Sequence, residues 1–378
     1  MRIAIVGGKL QGVEASYLAK KAGWRVRLID RRPDVPARGL SDEFMLADVC
    51  SEKNPERLFR GVDLMLPTLE DRRSIEFLSR YADNSGLPMA FDPAAYDISS
   101  SKIASDQRFA QLGLPAPKPW PKCGFPVIAK PDSGSGSRGV RVMNSEAEIK
   151  ELTLNQASSD EWVVQEFLDG PLFSLEVFGV PGRYHPVLVT DLFVDDTFDC
   201  MRVEAPSRLP RRLIDEFNEI SVRLAESMQL KGLMDVEAVL NDGTLHVIEI
   251  DARLPSQTPT AVYWSSGFNM LEKLGEMILG GIRSLVPVSP EKGVVYEHIQ
   301  FKNSRLRYGG EHLMADAGPV RQFENFFGAD EALSDYTPGS RDWRATLIIT
   351  GNDLNRAREK RRLVAENMMR SLDPFNFQ

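Results

Sequence analysis

The 378-residue chain has only three cysteines, Cys50, Cys123 and Cys200, too far apart for a CxxC metal pair or a disulfide framework. A reducing cytoplasm is the expected compartment. No apolar run approaches the roughly 18 residues that a membrane helix needs, and the opening Met-Arg-Ile-Ala-Ile-Val-Gly-Gly reaches glycine too soon for a signal sequence. Positive charge is in deficit too. Lys and Arg total 46 against 54 Asp and Glu, a net charge of −8, which excludes a global basic surface for nucleic acid. The four histidines, His185, His246, His298 and His312, show no ligand spacing and are expected to be structural. Neither GxSxG nor a Cys/His motif offers a nucleophile. What is present is ordinary for a globular protein, with 42% hydrophobic and 26% charged residues over a length that predicts two or three domains.

Residues 3–6 form a short apolar run ended by Gly7-Gly8, a helical pattern follows over 13–22, and Val26–Asp30 reads as a second strand. This strand, glycine turn, helix, strand order predicts a βαβ start and a parallel sheet. Strands at Phe44–Val49 and Leu64–Pro67 and a helix over Glu70–Tyr81 complete an α/β unit of residues 1–92. A turn-rich stretch, a helix over Ser101–Leu112 and a linker with four prolines lead to a strand, Val127–Pro131, a Gly/Ser loop and a second strand, Val140–Met143. This is a glycine-rich hairpin, and with a helix and the strand Trp162–Phe167 it fills residues 93–170. The remainder, 171–378, is strand-rich. It has one amphipathic helix over Arg211–Leu230 and a hairpin of Met234–Leu240 and Thr244–Ile250 around Asn-Asp-Gly. The basic cluster Arg356–Arg362 reads as a solvated helix face.

Four groups carry chemistry. Gly7-Gly8-Lys9-Leu10-Gln11-Gly12 mimics a dinucleotide fingerprint with Asp30 as the ribose acid, but Lys9 stands where the middle glycine is needed. The strand-end residues Leu10, Gln11, Asp30, Asp71 and Arg72 still face one crevice. In Lys130-Pro-Asp-Ser-Gly-Ser-Gly-Ser-Arg-Gly, glycine amides, serine hydroxyls including Ser137, and the cations Lys130 and Arg138 suit phosphate. A protein kinase places its lysine after such a loop and carries HRD and DFG sequences, which are missing here. Glu166, Phe167, Leu168 and Asp169 end a strand at a hinge that could meet an adenine edge and ribose, a weak signal alone. Asp235 with Glu237, and Glu249 with Asp251 and Arg253, share faces of adjacent strands by alternation. Carboxylates gathered in this way repel one another unless a cation sits among them, and oxygen-only ligands suit magnesium.

In this order, with Ser101-Lys102 at a helix start, the set resembles the ATP-grasp superfamily of carboxylate-amine ligases over roughly residues 1–260. Asp251 replaces the asparagine found in many relatives. The resemblance implies an ATP-grasp fold, α/β and α+β, with a Rossmann-like pre-grasp domain (1–92), a lid domain (93–170) and a C-terminal domain with the metal site (171–378). It implies that Lys102, Lys130, Ser137 and Arg138 bind ATP phosphates and that Glu166, Phe167, Leu168 and Asp169 hold adenine and ribose. Glu237, Glu249 and Asp251 would bind two magnesium ions, or manganese, with Arg253 and Lys130 catalytic. Gly-Gly-Lys-Leu-Gln-Gly and Asp-Ala-Arg-Leu-Pro-Ser-Gln-Thr-Pro-Thr look like the ligase branch of pyrrolysine biosynthesis. That branch activates (3R)-3-methyl-D-ornithine as an acyl-phosphate and joins it to the ε-amine of L-lysine. Leu10, Gln11, Asp30, Asp71 and Arg72 would meet lysine, and Glu176, Ser256, Gln257 and Thr258 the ornithine derivative. A D-alanine-type or carbamoylating ligase shares the ATP machinery. A nicotinamide oxidoreductase and a non-catalytic nucleotide-binding scaffold are the alternatives of other classes.

Overall fold

The computed structural model describes residues 1–154, 161–280 and 288–372. Its first strand, β1 (Arg2–Val6), is buried on both faces, which explains the unbroken apolar run. Ile3 and Ile5 pack with Tyr17 and Leu18 of helix α1 (Leu10–Lys21), while Ala4 and Val6 pack with Leu58, Phe59 and Leu78 on the other side. With β2 (Arg25–Asp30), β3 (Glu43–Leu46) and β4 (Leu64–Pro67) it forms a parallel sheet of order β3-β2-β1-β4. Helices α2 (Glu56–Phe59) and α3 (Arg72–Ser85) supply the second layer.

Helix α3 starts at Arg72, two residues later than the sequence predicts, because the Asp71 carboxylate caps it by accepting the Ser74 N–H at 2.9 Å. The turn before it is tied to β1, with the Thr68 hydroxyl donating to the Val6 and Gly7 carbonyls at 3.0 and 2.7 Å. Gly7 is required there, since its φ is +111° and a Cβ would lie 2.6 Å from the Thr68 oxygen.

Helices α4 (Pro93–Ser99) and α5 (Lys102–Gln111) fall within the segment assigned by sequence to the lid, yet they pack elsewhere. Ala95, Phe109 and Leu114 join the core of Phe217, Val236 and Val247 in the C-terminal part, because their apolar faces need a large sheet to cover them. The small antiparallel sheet β6-β5-β7 consists of β5 (Val127–Pro131), β6 (Arg141–Met143) and β7 (Trp162–Glu166), with α6 (Glu146–Leu154) in the same segment.

Among the described residues, the third sheet has eleven strands. They are β8 (Leu172–Val180), β9 (Arg183–Pro186), β10 (Thr190–Val194), β11 (Cys200–Ala205), β12 (Gly232–Asn241), β13 (Thr244–Asp251), β14 (Gly293–Lys302), β15 (Arg305–Tyr308), β16 (Arg321–Glu324), β17 (Glu331–Ser334) and β18 (Asp342–Gly351). The main path runs β13-β12-β8-β10-β11-β14-β18-β17-β16, with β9 beside β8 and β15 beside β14. Helix α7 (Arg211–Ser227) lays Leu213, Phe217, Ile220 and Leu224 into the core beneath β8 and β12, as its periodicity predicts. Helices α8 (Thr258–Ser266) and α9 (Met270–Ile278) pack with α1, joining the amino-terminal sheet to the large one through a shared core. Among the described residues, no helix is long and apolar enough to cross a membrane.

The C-terminal stretch that sequence left unassigned adds β14–β18, the short α10 (His312–Ala315) and α11 (Leu354–Leu372). The basic cluster on α11 is not simply a solvated face. Arg358 bonds the buried Glu204, Arg361 donates to the buried Glu297 at 2.7 Å, and Lys360 pairs with Asp330 at 2.7 Å. Arg361→Ala would leave the buried Glu297 without its hydrogen-bonded arginine, with only the more distant charge of Arg202 to offset it. A loss of about 2 kcal/mol in chemical denaturation is expected, below that of a fully buried pair because Arg361 is partly exposed.

Candidate active site

All three sheets contribute to one cavity of about 720 Å³. Its floor is the end of β8, β12 and β13. Register places Asp235 opposite Asp251 and Glu237 opposite Glu249, while β8 sets Glu176 opposite Asp235 and Ser174 opposite Glu237. A bulge at Ile248 makes this possible. Val247 and Ile250 both reach the core although three residues apart, so strict alternation fails there and the extra residue turns Glu249 to the cavity. The Ile248 carbonyl freed at the bulge accepts the Lys130 ammonium at 3.0 Å.

Burial and mutual repulsion raise the carboxylates of this face together. Burial, then Asp235, Glu249 and Asp251, pushes the Glu237 carboxyl well above its usual range, opposed by Lys130. Burial raises Asp251 to about 7 against the pull of Arg253, and raises Asp235 to about 6 against the Ser174 hydroxyl, which donates to it at 2.5 Å. Glu176 is fully buried, with no hydrogen-bond partner of good geometry on either carboxylate oxygen among the described residues, and burial followed by Asp235 lifts it to about 8 against the nearby Thr258 hydroxyl. A cation is the ligand such a surface stabilises most. Among the described residues, no three acidic, histidine or cysteine side chains converge into a complete cage. Magnesium takes one or two carboxylates and completes its shell with water and phosphate. The unpartnered Asp251 Oδ1 and the facing Glu237 and Glu249 fit such an ion.

The roof is the loop of the β5–β6 hairpin. Its Gly136 has φ +64° and lies so near the His312 ring that a Cβ would be 2.6 Å from Cε1. Ser137 donates to the Phe198 carbonyl at 2.7 Å, and Lys102 donates to the Gly134 carbonyl at 2.8 Å while standing 3.6 Å from Glu249. Lys130, Ser137 and Arg138 line the cavity; Lys102 holds the loop toward Glu249 of β13. At the end of β7, Glu166, Phe167, Leu168 and Asp169 line the cavity. Arg253 bonds Asp251 at 2.7 Å and Glu70 at 2.9 Å.

The pre-grasp wall includes Leu10, Gln11, Asp30 and Asp71. Two of these carboxylates already serve the backbone. Asp30 accepts the Gly8 and Arg32 N–H groups at 2.7 and 2.9 Å, and Asp71 caps α3. Arg72, expected to meet a substrate carboxylate, points away to Asp97 at 3.1 Å because the helix start turns it outward. Arg73 lines the cavity in its place. On the opposite wall Glu176, Ser256, Gln257 and Thr258 come together as expected. Gln257 holds a left-handed φ of 77°, a strained conformation for a residue with a side chain, and with Ser256 it donates to Glu311 at 3.0 and 2.6 Å.

Sequence reasoning missed Glu70, Glu311 and the His312–Asp199 pair, whose Nδ1 and Oδ2 lie 2.8 Å apart. Glu70 adjoins the recognised Asp71; the other two carry no local signal. His298, by contrast, is buried and structural as expected, with Nδ1 2.9 Å from the Thr346 hydroxyl and its pKa pushed down to about 4 by burial.

Behind this wall the fully buried Glu14 of α1 accepts the Thr260 N–H at 2.6 Å. Burial lifts its carboxyl from 4.5 to about 7, with the hydrogen bonds from Thr260 opposing. The folded protein keeps this proton where the unfolded chain has released it. Its contribution is therefore full below pH 4.5 and is lost as pH rises through about 7, a swing of about 3 kcal/mol. Glu14→Gln is expected to flatten that part of the slope when urea denaturation is compared at pH 5 and pH 8.

A lysine-bearing strand under a glycine loop, opposite paired carboxylates on a large antiparallel sheet, defines an ATP-grasp site. The ATP-grasp domain family model matches residues 99–257. The chain is 39% identical over 317 residues, 83% of its length and 82% of the relative's, to the 3-methyl-D-ornithine--L-lysine ligase of Methanosarcina mazei. It is 37% identical to that of Methanosarcina acetivorans over 95% of each chain. The protein belongs to this ATP-grasp ligase family. Among solved structures it resembles N5-carboxyaminoimidazole ribonucleotide synthetase from Thermotoga maritima, with a TM-score of 0.68 and 22% identity over 97% of this chain and 98% of that one. It also resembles the biotin carboxylase domain of Hydrogenobacter thermophilus 2-oxoglutarate carboxylase, determined with magnesium ADP and bicarbonate. There the TM-score is 0.75 and the identity 14% over 97% of this chain and 89% of that one.

Proposed function

We propose that the protein activates the carboxylate of (3R)-3-methyl-D-ornithine with ATP and joins it to the ε-amine of L-lysine, in pyrrolysine biosynthesis. The observation that carries this reading is the meeting of Lys130, the glycine loop and the carboxylate face in one cavity, in a chain that aligns almost end to end with ligases of that name. The substrate carboxylate attacks the γ-phosphorus, giving an acyl-phosphate and ADP. The lysine amine then adds to the acyl carbon, the C–O bond to phosphate breaks, and the amine gives up a proton as the amide forms. No protein nucleophile is needed.

Lys130, Lys102, Arg138 and Ser137 with the loop amides bind and cover the phosphates, and the 166–169 hinge holds adenine and ribose. Glu237, Glu249 and Asp251 would hold two magnesium ions, with manganese as a substitute, which supply charge neutralisation at the phosphates. Arg253 stabilises negative charge gathering on the transferred phosphoryl group, and the closed loop excludes water from the acyl-phosphate. The buried, unpaired Glu176 suits the amine of the ornithine derivative, and the Leu10, Gln11 and Asp71 wall suits lysine. We divide the chain into the pre-grasp unit 1–92, a lid that ends near residue 170, and the C-terminal part, with α4 and α5 counted in its body. Incubation with ATP, magnesium, lysine and D-ornithine or its 3-methyl form should yield an amide with the summed mass less water. ADP release with other amino acids but not these would refute the substrate assignment.

A further inference from the structure

Glu70 has no role in the account above, yet it touches all three parts of the chain. It stands on the short turn between β4 and α3, fixed on one side by the Thr68 hydroxyl on the Val6 and Gly7 carbonyls and on the other by the Asp71 cap. From that base one carboxylate oxygen accepts Arg253 Nη2 at 2.9 Å and Gln11 Nε2 at 3.2 Å. The other accepts the Ser135 hydroxyl, in the glycine loop, at 2.6 Å. Pre-grasp wall, lid and catalytic arginine thus meet on one carboxylate. A charged acceptor roughly doubles the strength of each bond, and a rigid base sets their geometry.

We propose that Glu70 is a positioning residue, a clasp that couples closure of the Gly134–Gly139 loop to the seating of Arg253 and so directs the acyl-phosphate to the amine instead of to water. The inference rests on the ligase function proposed above. Either attack breaks the same C–O bond and releases phosphate; with water it regenerates the carboxylate, with the amine it forms the amide and releases a proton. A loosened lid admits water at once, while a displaced Arg253 slows the phosphoryl transfer that precedes both.

The test compares wild type, Glu70→Gln, Glu70→Ala and Ser135→Ala for amide formed per ADP released. In parallel, amide hydrogen exchange is measured over residues 132–140 with magnesium ADP, and thermal melting confirms folding. The wild-type ratio should be near one. Glu70→Ala should lower it about tenfold and cut the rate of ADP release. Ser135→Ala should lower the ratio by more than it slows ADP release, and both should speed exchange in the loop. Glu70→Gln should keep the loop bond better than the ratio, since an amide oxygen still accepts from Ser135 but no longer carries charge to Arg253. A folded Glu70→Ala with wild-type ratio and wild-type exchange overturns the clasp. If wild type itself forms no amide, the ligase function fails, and loop exchange in Glu70→Ala still decides whether the clasp exists.

Discussion

Glu249→Gln is expected to lower the rate of ADP release about a thousandfold without loss of thermal stability. Glu249 faces Glu237 across the β12–β13 pair, and its negative charge is one reason the Glu237 proton is held so tightly. Removing that charge relieves repulsion in the ligand-free protein, so the melting temperature should stay level or rise. The same change takes one oxygen anion from the proposed ion site, where phosphate charge would accumulate. Steady-state kinetics with a magnesium titration, beside a melting curve, checks both halves. Asp30→Asn is the contrasting variant: its oxygen still accepts a backbone N–H, so ATP affinity should change little. Comparable losses of ATP affinity in the two variants would contradict the assignment of Glu249 to the ion site and Asp30 to the pre-grasp wall.

The second large effect belongs to Arg253. Its Nη2 serves Asp251 and Glu70 together, and the side chain is only 11% exposed. Lysine keeps the charge but loses the planar fork, in which Nη1 would be free to meet a phosphoryl oxygen while Nη2 holds the two carboxylates. Arg253→Lys should lower kcat about a hundredfold and leave the KM for ATP within about threefold, the signature of an interaction strongest in the transition state. Arg253→Ala should in addition destabilise the protein, because the partly buried Asp251 loses its partner. A Lys variant with near-normal kcat would remove Arg253 from the chemistry.

Residues with local signals were legible. The βαβ start could be read because β1 is covered on both faces and so must be apolar throughout. Lys130 and the loop could be read because left-handed turns select glycine. Glu237, Glu249 and Asp251 were picked out by alternation along two neighbouring strands, yet the Ile248 bulge that aims Glu249 was not, since nothing in Val-Ile-Glu-Ile distinguishes a strand from a bulged one. Arg72 illustrates the opposite failure, as a charge at a strand end says nothing about which way the first turn of a helix points it.

Long-range partners stayed hidden. Glu70 is defined by Gln11, Ser135 and Arg253, and Arg361 by Glu297, none of them near it in the chain. The −8 net charge is compatible with a polyanionic substrate for the same reason. The site is governed by Lys102, Lys130, Arg138 and Arg253 around carboxylates that a cation would neutralise, and the chain total does not describe that field.

The most direct test of the central claim is isotopic. With ATP, magnesium, L-lysine and 3-methyl-D-ornithine labelled with ¹⁸O in both carboxyl oxygens, mass spectrometry of phosphate and amide follows each oxygen. Attack by the carboxylate on the γ-phosphorus predicts one labelled oxygen in each released phosphate and one in each amide. Amide formation with unlabelled phosphate would contradict the acyl-phosphate route, and no amide at all would contradict the ligase.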